Sequence, residues 1–253
     1  MELDFEDVGV SGLAKSYGPT LALRGVDLSF EAGTVTVIRG SNGSGKSTLL
    51  WLLALLAHPT KGEVRYGRYG SAHADGLRAR IGFVAHQLQL YPGLSGHENL
   101  VLAAKLQDIA YAEKRASDLG EALGVSEYWN RPVRTYSRGQ AQRISIARAM
   151  LHEPRLLLMD EPATGLDVES TEALIGLIEL EKQRGAIGVI VTHEAEFANA
   201  VGDRVLHMNR GRIVEGDSCV RFAPRVWSRS KTCSSSFVPK RFCPRRACSR
   251  SWW

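Results

Sequence analysis

The sequence predicts an α/β fold whose core is a mostly parallel β-sheet, because it contains two wholly apolar strands with a helix between them. Residues 156–159 and 186–191 contain no charged or hydrogen-bonding side chain. Between them, Leu174, Leu177 and Ile178 mark one face of a helix. Strands that are apolar along their whole length are buried on both faces, and their alternation with helices is typical of a parallel sheet covered by helices.

Two other regions complete the predicted architecture. Residues 8–17 and 21–30 are predicted to be strands separated by a turn. Residues 92–152 are predicted to be mostly helical, and Ser95 followed by Glu98 three residues later fits a capping box at the start of a helix. The chain therefore combines an N-terminal β region and a core sheet with a helical region inserted between the core strands.

The charge of the chain is unevenly distributed. Its 32 Lys and Arg and 27 Asp and Glu give a net charge of +5, but residues 218–253 hold nine of the basic side chains and none of the acidic ones. Residues 1–217 therefore carry 23 basic and 27 acidic side chains, a net charge of −4. A nucleic-acid binder shows a basic patch in its folded part, so we expect no nucleic-acid partner.

Neither a membrane span nor a secretory signal is predicted. The longest apolar run, residues 49–57, is nine residues long, whereas a bilayer needs about 20. The first ten residues are acidic and lack the basic and apolar regions of a signal peptide. We therefore expect a cytoplasmic location.

The strongest motif is a phosphate-binding loop at residues 40–47, Gly-Ser-Asn-Gly-Ser-Gly-Lys-Ser. It follows the predicted strand 34–38 and opens an apolar helix predicted over 46–57, as the pattern G-x-x-x-x-G-K-[ST] requires. Its glycines let backbone N–H groups turn towards phosphate oxygens, and the helix N-terminus adds partial positive charge. We expect Lys46 to reach the β- and γ-phosphates and Ser47 to ligate Mg²⁺. The predicted nucleotide contacts are Gly40, Ser41, Asn42, Gly43, Ser44, Gly45, Lys46, Ser47 and Thr48.

Two acids follow the apolar strand at 156–159. Asp160 and Glu161 are thereby placed at the carboxyl edge of the sheet, where ligands bind in such folds. Asp160 is suited to hold Mg²⁺ through water, and Glu161 is suited to act as the base towards the attacking water.

The segment 135–140, Thr-Tyr-Ser-Arg-Gly-Gln, precedes a helix and resembles the hallmark L-S-G-G-Q of the ABC ATPase family. Ser137, Gly139 and Gln140 match the hallmark, whereas Tyr136 and Arg138 depart from it. The resemblance implies that this signature segment contacts nucleotide. Ser137 and Gly139 would contact the γ-phosphate of an ATP held by the phosphate loop of a second subunit.

Other family elements occur in the same order along the chain. The resemblance implies that Tyr17 stacks on adenine and that residues 163–167 contact the dimer partner. It also implies that His193, which follows the second apolar strand, senses the γ-phosphate. A family glutamine precedes the helical region. Counting back from the helical region puts His86 at this position, but we assign it to Gln87, because an amide can both ligate Mg²⁺ and bond water.

The resemblance covers about residues 8–216 and implies a P-loop NTPase fold of the ABC type, with an N-terminal antiparallel β subdomain and an inserted helical subdomain. We expect an ATPase domain over 5–217, with the helical subdomain at about 92–152. The implied function is that of the ATP-hydrolysing subunit of an ABC transporter. It would act as a homodimer or pseudo-homodimer on a separate permease, at the cytoplasmic face of the membrane.

A narrower resemblance and two alternatives complete the functional hypotheses. His86-Gln87 and Ser137-Arg138-Gly139 resemble the ATP-binding subunits of heme exporters in cytochrome c maturation. One alternative is a soluble ABC ATPase that acts on ribosomes or nucleic acid. The other is a regulatory nucleotide-binding module without turnover, against which Glu161 and His193 argue.

Residues 218–253 differ in composition from the rest of the chain. They hold eight serines, nine basic residues, three tryptophans and all four cysteines, with no C-x-x-C pair that would indicate a metal site. They show no helical or strand period, so we expect disorder. Two origins stay open: a natural basic tail that touches anionic lipid or the permease, or translation in a shifted frame.

Overall fold

The structure, a computed structural model, describes residues 4–70 and 73–214. Its strands are β1 (Asp7–Tyr17), β2 (Thr20–Glu31), β3 (Val35–Arg39), β4 (Lys61–Tyr66), β5 (Ile81–Val84), β6 (Leu156–Asp160), β7 (Ile187–Val191), β8 (Arg204–Asn209) and β9 (Arg212–Val214). Its helices are α1 (Lys46–Leu53), α2 (Ala74–Arg78), α3 (Gly96–Leu106), α4 (Ala112–Ala122), α5 (Arg138–Met150), α6 (Val168–Gln183) and α7 (Ala195–Val201), with a short 3₁₀ helix at Val133–Thr135. The predicted tail at 218–253 lies outside the described residues.

The core is a six-stranded sheet in the order β5-β6-β7-β3-β8-β9. Its strands pair in parallel from β5 to β8, and β9 pairs antiparallel with β8. Every residue of β6 and β7 is buried, so the predicted parallel sheet is confirmed. In the pairing register Asp160 lies opposite Val191, and Val191 lies opposite Ile38. The ends of β6, β7 and β3 therefore lie side by side.

Alternate residues of β6 pack on opposite faces of this sheet. Leu157 and Met159 belong to a core cluster that includes side chains of α5, α6 and α7. Leu156 and Leu158 belong to a second cluster, formed with α1 and the N-terminal strands. A fully buried leucine stabilises the fold by about 1.5–3 kcal/mol relative to an exposed one. Burial on both faces explains why β6 contains no polar residue before Asp160.

The N-terminal strands form a separate antiparallel sheet in the order β2-β1-β4, as predicted. Its β4 strand approaches β1 so closely that a Cβ on Gly62 would meet the carbonyl oxygens of Ser11 and Gly12. Gly62 also has a φ of 76°, which disfavours other residues. This sheet covers the same face of the core sheet as α1.

The helical region contains α3, α4 and α5. The predicted capping box is confirmed: Glu98 N donates to Ser95 Oγ at 3.1 Å, and Ser95 N donates to Glu98 Oε2 at 2.8 Å. Arg115 of α4 ties this region to the core, because its guanidinium donates to the carbonyl oxygens of Leu151 and Met150 at 3.0 and 3.2 Å. These two residues lie at the end of α5, which runs from the helical region into the core.

The helix after the phosphate loop is shorter than the apolar pattern predicts. We expected it to span 46–57, but α1 ends at Leu53. Tyr66 Oη donates to the carbonyl oxygen of Leu53 at 2.5 Å, and Leu55 has a φ of 58°, which is incompatible with a continuing helix. The apolar residues beyond Leu53 therefore leave the helix axis.

Within the described residues, no helix is both long enough and apolar enough to cross a bilayer.

His152 lies just beyond α5 and is half-buried, with both ring nitrogens shielded from solvent. Burial lowers the pKa of its imidazole to about 4, and the positive charges of Arg80 and Arg115 act in the same direction. An unfolded chain restores the ordinary value of about 6.5. The folded protein therefore binds the proton more weakly than the unfolded chain.

This difference in pKa predicts acid sensitivity. Full stability is expected above about pH 6.5, and it should fall as the pH is lowered from 6.5 towards 4. Between pH 7.5 and 4.5 the parent should lose about 2–3 kcal/mol more free energy of unfolding than His152→Gln, whose amide does not titrate. Urea titrations at both pH values measure the difference. An equal loss in the two proteins would contradict the prediction.

Candidate functional site

An open cleft of about 910 Å³ lies at the carboxyl ends of the core strands. The phosphate loop and the start of α1 form one wall. The end of β6, with Asp160 and Glu161, and the segment after β5 line the cleft as well. The sequence motifs at 40–48 and 160–161 are thus brought together in space, as their predicted places at the sheet edge required.

The phosphate loop leaves a helix N-terminus open. Gly45 is the N-cap of α1 and provides no side-chain cap, so the first N–H groups of the helix are free to bind an anion. The Lys46 ammonium folds back and donates to the carbonyl oxygens of Gly40 and Ser41 at 2.8 and 2.9 Å. The oxygens of a bound phosphate are also hydrogen-bond acceptors, so they could replace these carbonyl oxygens as partners of Lys46.

Two of the loop glycines are required by their surroundings. A Cβ on Gly40 would meet the carbonyl oxygen of Met208, and a Cβ on Gly45 would lie 2.6 Å from that of Ala22. Their φ values are 154° and 108°. The loop therefore packs against β2 and β8 through its backbone, which fixes the orientation of its N–H groups.

Asp160 and Ser47 meet at the base of the cleft. Burial raises the pKa of the Asp160 carboxyl, and a hydrogen bond from Ser47 opposes this shift. A carboxylate beside a hydroxyl provides the oxygen ligands that Mg²⁺ prefers, with water for the remaining positions. In the part of the chain that the structure describes, no three His, Cys, Asp or Glu side chains form a metal cluster. The hydroxyl of Ser47 and the carboxylate of Asp160 are oxygen donors of the kind that Mg²⁺ accepts.

Glu161 is paired with His193. Glu161 Oε2 lies 2.9 Å from His193 Nδ1 and accepts from His193 N at 3.3 Å. The hydrogen bond to Glu161 is the main reason why the pKa of His193 is raised. Glu161 has a φ of 52°, and its N–H donates to the carbonyl oxygen of Val191. This backbone hydrogen bond joins the ends of β6 and β7 at Glu161, the candidate general base.

Both candidates for the glutamine position line the cleft. His86 and Gln87 are exposed, and the charge of His86 lowers the pKa of Asp160. The assignment to Gln87 stays a prediction. The neighbouring Gln89 is instead held by Arg148, which donates to its carbonyl oxygen at 2.6 Å and to its side-chain oxygen at 3.2 Å.

Tyr17 does not line the cleft. Its ring is exposed beside Lys15, whose ammonium lies 5.0 Å from the ring centroid. Thr20, which pairs with Tyr17 across the β1–β2 turn, does line the cleft. The proposed stacking of Tyr17 on adenine stays a prediction.

The signature segment begins α5 and lies outside this cleft. Ser137 is the N-cap: its Oγ accepts from Gln140 N at 3.2 Å, and its N–H donates to Gln140 Oε1 at 3.0 Å. A Cβ on Gly139 would meet the carbonyl oxygen of Gly165. None of these three matching residues lines the cleft, as expected if they serve a nucleotide held by another subunit.

Tyr136, where the hallmark has leucine, uses its hydroxyl twice. Tyr136 Oη accepts from Gly96 N at 3.0 Å and donates to the carbonyl oxygen of Tyr128 at 3.0 Å. The rings of Tyr128 and Tyr136 pack edge to face, with centroids 5.1 Å apart. The hydroxyl thus fixes the signature segment to the start of α3.

Sequence reasoning missed two site residues. Trp51 lines the cleft and is 41% exposed. Arg39 donates from Nη2 to the carbonyl oxygen of His193 at 3.1 Å. A signal existed for Arg39, since it is the one charged residue of β3 and ends a strand that is otherwise uncharged.

Comparison with known proteins identifies relatives over most of the chain. A protein-family model described as "ABC transporter" matches residues 23–164. An uncharacterised ABC transporter ATP-binding protein of Methanocaldococcus jannaschii is 37% identical over 209 residues, which cover 79% of this chain and 93% of that protein. The daunorubicin/doxorubicin resistance ATP-binding protein of Streptomyces peucetius is 34% identical over 82% of this chain, but the match spans only 64% of that relative's length.

Solved structures give the same result. A dimeric ATP-binding cassette in a post-hydrolysis state, bound to ADP and Pi, has a TM-score of 0.77 and 30% sequence identity, and the match covers 85% of this chain and all of that one. An ATP-binding subunit of an ABC transporter has a TM-score of 0.76 and 27% identity, and the match covers 81% and 87% of the two chains.

The two tyrosines near the signature segment offer a matched pair of variants. Tyr136→Phe removes a hydroxyl that makes two hydrogen bonds, so the free energy of unfolding should fall by about 1–2 kcal/mol. Tyr128→Phe removes a buried hydroxyl that has no partner among the described residues, and it should be neutral or slightly stabilising. Urea denaturation compares the two variants. Equal losses would show that the Tyr136 bonds contribute nothing specific.

Proposed function

The chain belongs to the ABC transporter family, whose ATP-binding cassettes hydrolyse ATP, and we propose that it is the ATP-binding and ATP-hydrolysing subunit of a transporter that drives a separate membrane permease. The predicted fold, a P-loop NTPase of the ABC type, is confirmed by the likeness to solved cassettes. One observation carries the proposal: an open phosphate loop, Asp160 and the Glu161–His193 pair lie at the ends of neighbouring strands.

The phosphate loop would hold the phosphates of ATP. N–H groups of the loop and of the start of α1 would bind phosphate oxygens. Thr48, in the first turn of α1, is one of the proposed nucleotide contacts. Lys46 would exchange its bonds to Gly40 and Ser41 for bonds to the β- and γ-phosphates. The ammonium charge would then neutralise part of the phosphate charge.

Mg²⁺ would be held by the oxygen donors at the base of the cleft. We assign the Ser47 hydroxyl and the Gln87 amide as ligands, and Asp160 as a ligand through water. When bound, the ion would neutralise phosphate charge. The shared position of Ser47 and Asp160 in the lining of the cleft supports this assignment, because it brings a hydroxyl and a carboxylate to the same site.

Hydrolysis would depend on Glu161 and His193. Glu161 would accept the proton of the attacking water, since it lines the same cleft as the phosphate loop. His193 would leave Glu161 and donate a hydrogen bond to the γ-phosphate. The exposed position of the imidazole supports this change of partner.

A second subunit would complete each site. Ser137, Gly139 and Gln140 lie at the N-terminus of α5, away from their own cleft, and a helix N-terminus suits an anion. We therefore propose a dimer in which each signature segment contacts the γ-phosphate held by the partner subunit. The similar cassettes of known structure include dimers.

The permease would bind at a second surface on the cytoplasmic side of the membrane. An open groove of about 300 Å³ runs between the end of α1, β5 and α3. The exposed apolar side chains Leu56, Tyr91 and Leu106 line it. An apolar helix of the permease would cover these side chains, and the chain would then be a peripheral membrane protein.

Heme export remains the narrower form of the proposal. It is supported only by two short segments, His86-Gln87 and Ser137-Arg138-Gly139. Relatives are named for quite different roles, among them methionine import in Mesorhizobium japonicum and drug resistance in Streptomyces peucetius. Co-purification with a permease, followed by transport assays in vesicles, tests the transport role and identifies the cargo.

Lys46→Ala tests the phosphate loop. Loss of the ammonium should lower ATP turnover by roughly 10²-fold or more, because charge that develops on the phosphates is no longer neutralised. Steady-state phosphate release measures turnover, and Lys61→Ala, at an exposed position on β4, is the charge-matched control. Undiminished turnover in Lys46→Ala would remove the basis of the proposed nucleotide site.

Glu161→Gln separates binding from hydrolysis. The amide keeps the shape of the carboxylate but cannot accept a proton, so ATP should still bind while turnover falls by roughly 10²-fold. Bound ATP should then hold two subunits together, which size-exclusion chromatography detects. The control is Glu172→Gln, at an exposed position on α6. Turnover at the parental rate in Glu161→Gln would favour a different base, and a monomer with ATP bound would argue against the two-subunit site.

A further inference from the structure

Arg39 connects the phosphate loop to the histidine that faces the candidate base. It is the last residue of β3 and directly precedes Gly40. The other residues of β3 are buried, whereas Arg39 is half-buried. Its guanidinium donates from Nη2 to the carbonyl oxygen of His193 at 3.1 Å. The contact joins residues 154 positions apart in the sequence.

The backbone of His193 is consequently held on both sides of its Cα atom. Its carbonyl oxygen accepts from Arg39, and its N–H and Nδ1 both face Glu161 Oε2. The bond to Arg39 does not involve the imidazole. The ring can therefore rotate away from Glu161 while the backbone of His193 keeps its place.

The order of the strands explains how these three residues meet. β6, β7 and β3 are neighbours in the parallel sheet, and their carboxyl ends lie at the same edge of it. Glu161 follows β6, His193 lies two residues beyond β7, and Arg39 ends β3. The three side chains thus form a row across the strand ends, with His193 in the middle.

We propose that Arg39 is a positioning residue of the hydrolytic site, which fixes the backbone of His193 so that only the imidazole moves between Glu161 and the terminal phosphate of the nucleotide. The inference rests on the proposed function, since it assigns a new residue to the same site. Arg39 itself would touch neither nucleotide nor water. Phosphate charge would be met by Lys46 and the start of α1.

Kinetics of Arg39→Met test this role. Methionine keeps much of the length of the side chain but cannot donate a hydrogen bond. We expect kcat to fall about tenfold, the equivalent of one charge-assisted hydrogen bond, with less than a twofold change in the Kd for ATP. Arg39→Lys, which can still donate, should recover part of kcat. Arg204→Met, at an exposed position on β8, removes the same charge from a neighbouring strand and should behave like the parent.

A double-mutant cycle identifies the partner. In a His193→Ala background, Arg39→Met should cause no further loss of kcat, because the imidazole that it positions is already absent. A further tenfold loss would overturn the proposal. So would a weaker Kd for ATP with an unchanged kcat, which would make Arg39 a direct phosphate ligand.

A measurement without nucleotide keeps this inference separate from the proposed function. The ¹⁵N resonances of the His193 imidazole, assigned with His193→Ala, report its hydrogen bond to Glu161. Arg39→Met should shift the Nδ1 resonance towards that of a free imidazole, and Arg204→Met should not. An unchanged resonance would overturn the role of Arg39 even if the parent hydrolyses ATP. A parent without turnover would instead refute the proposed function, whatever the resonance shows.

Discussion

The parallel pairing of β6, β7 and β3 is the constraint on which the site depends. Parallel strands bring their carboxyl ends to one edge of the sheet, and here the register sets Asp160, Val191 and Ile38 side by side. Glu161 follows β6, His193 follows β7 and the phosphate loop follows β3. Functional groups from three distant parts of the sequence are therefore brought together without any long loop. Two separate core clusters hold the sheet from both faces, and thereby hold the strand ends in position.

The parts of the molecule that follow local rules could be predicted from the sequence. Buried strands, the capping box at Ser95 and the glycine-rich loop each depend on residues within a short window. The end of α1 could not be predicted from local sequence, because the carbonyl oxygen of its last residue, Leu53, accepts a hydrogen bond from Tyr66 of β4. The contact of Arg39 with His193 was missed because the two residues lie 154 positions apart in the sequence and meet only in the folded sheet. Tyr17 matched its family element by position alone, and its stacking on adenine stays a prediction.

The signature segment illustrates how a departure from a family pattern is accommodated. Tyr136 is larger than the expected leucine, and its hydroxyl finds two backbone partners in the helical region. The side chain of Arg138 lies beside Gly165: a Cβ atom added to this glycine would be 3.7 Å from Arg138 Cγ and 3.8 Å from Arg138 Cδ. Gly139, which matches the hallmark, has no room for a side chain against the same loop. The segment thus keeps the glycine of the hallmark at the position that packs against backbone.

The bonds between Lys46 and its own loop have a consequence for ligand selection. Because the ammonium already has two carbonyl acceptors, an incoming anion gains only the difference between the new bonds and the old ones. A small anion that reaches Lys46 at one point replaces these acceptors poorly. A polyphosphate that spans the loop can replace both and also bind the N–H groups of α1. The loop is thus expected to discriminate by the number of phosphate oxygens offered at once, so that inorganic phosphate competes weakly with nucleotide.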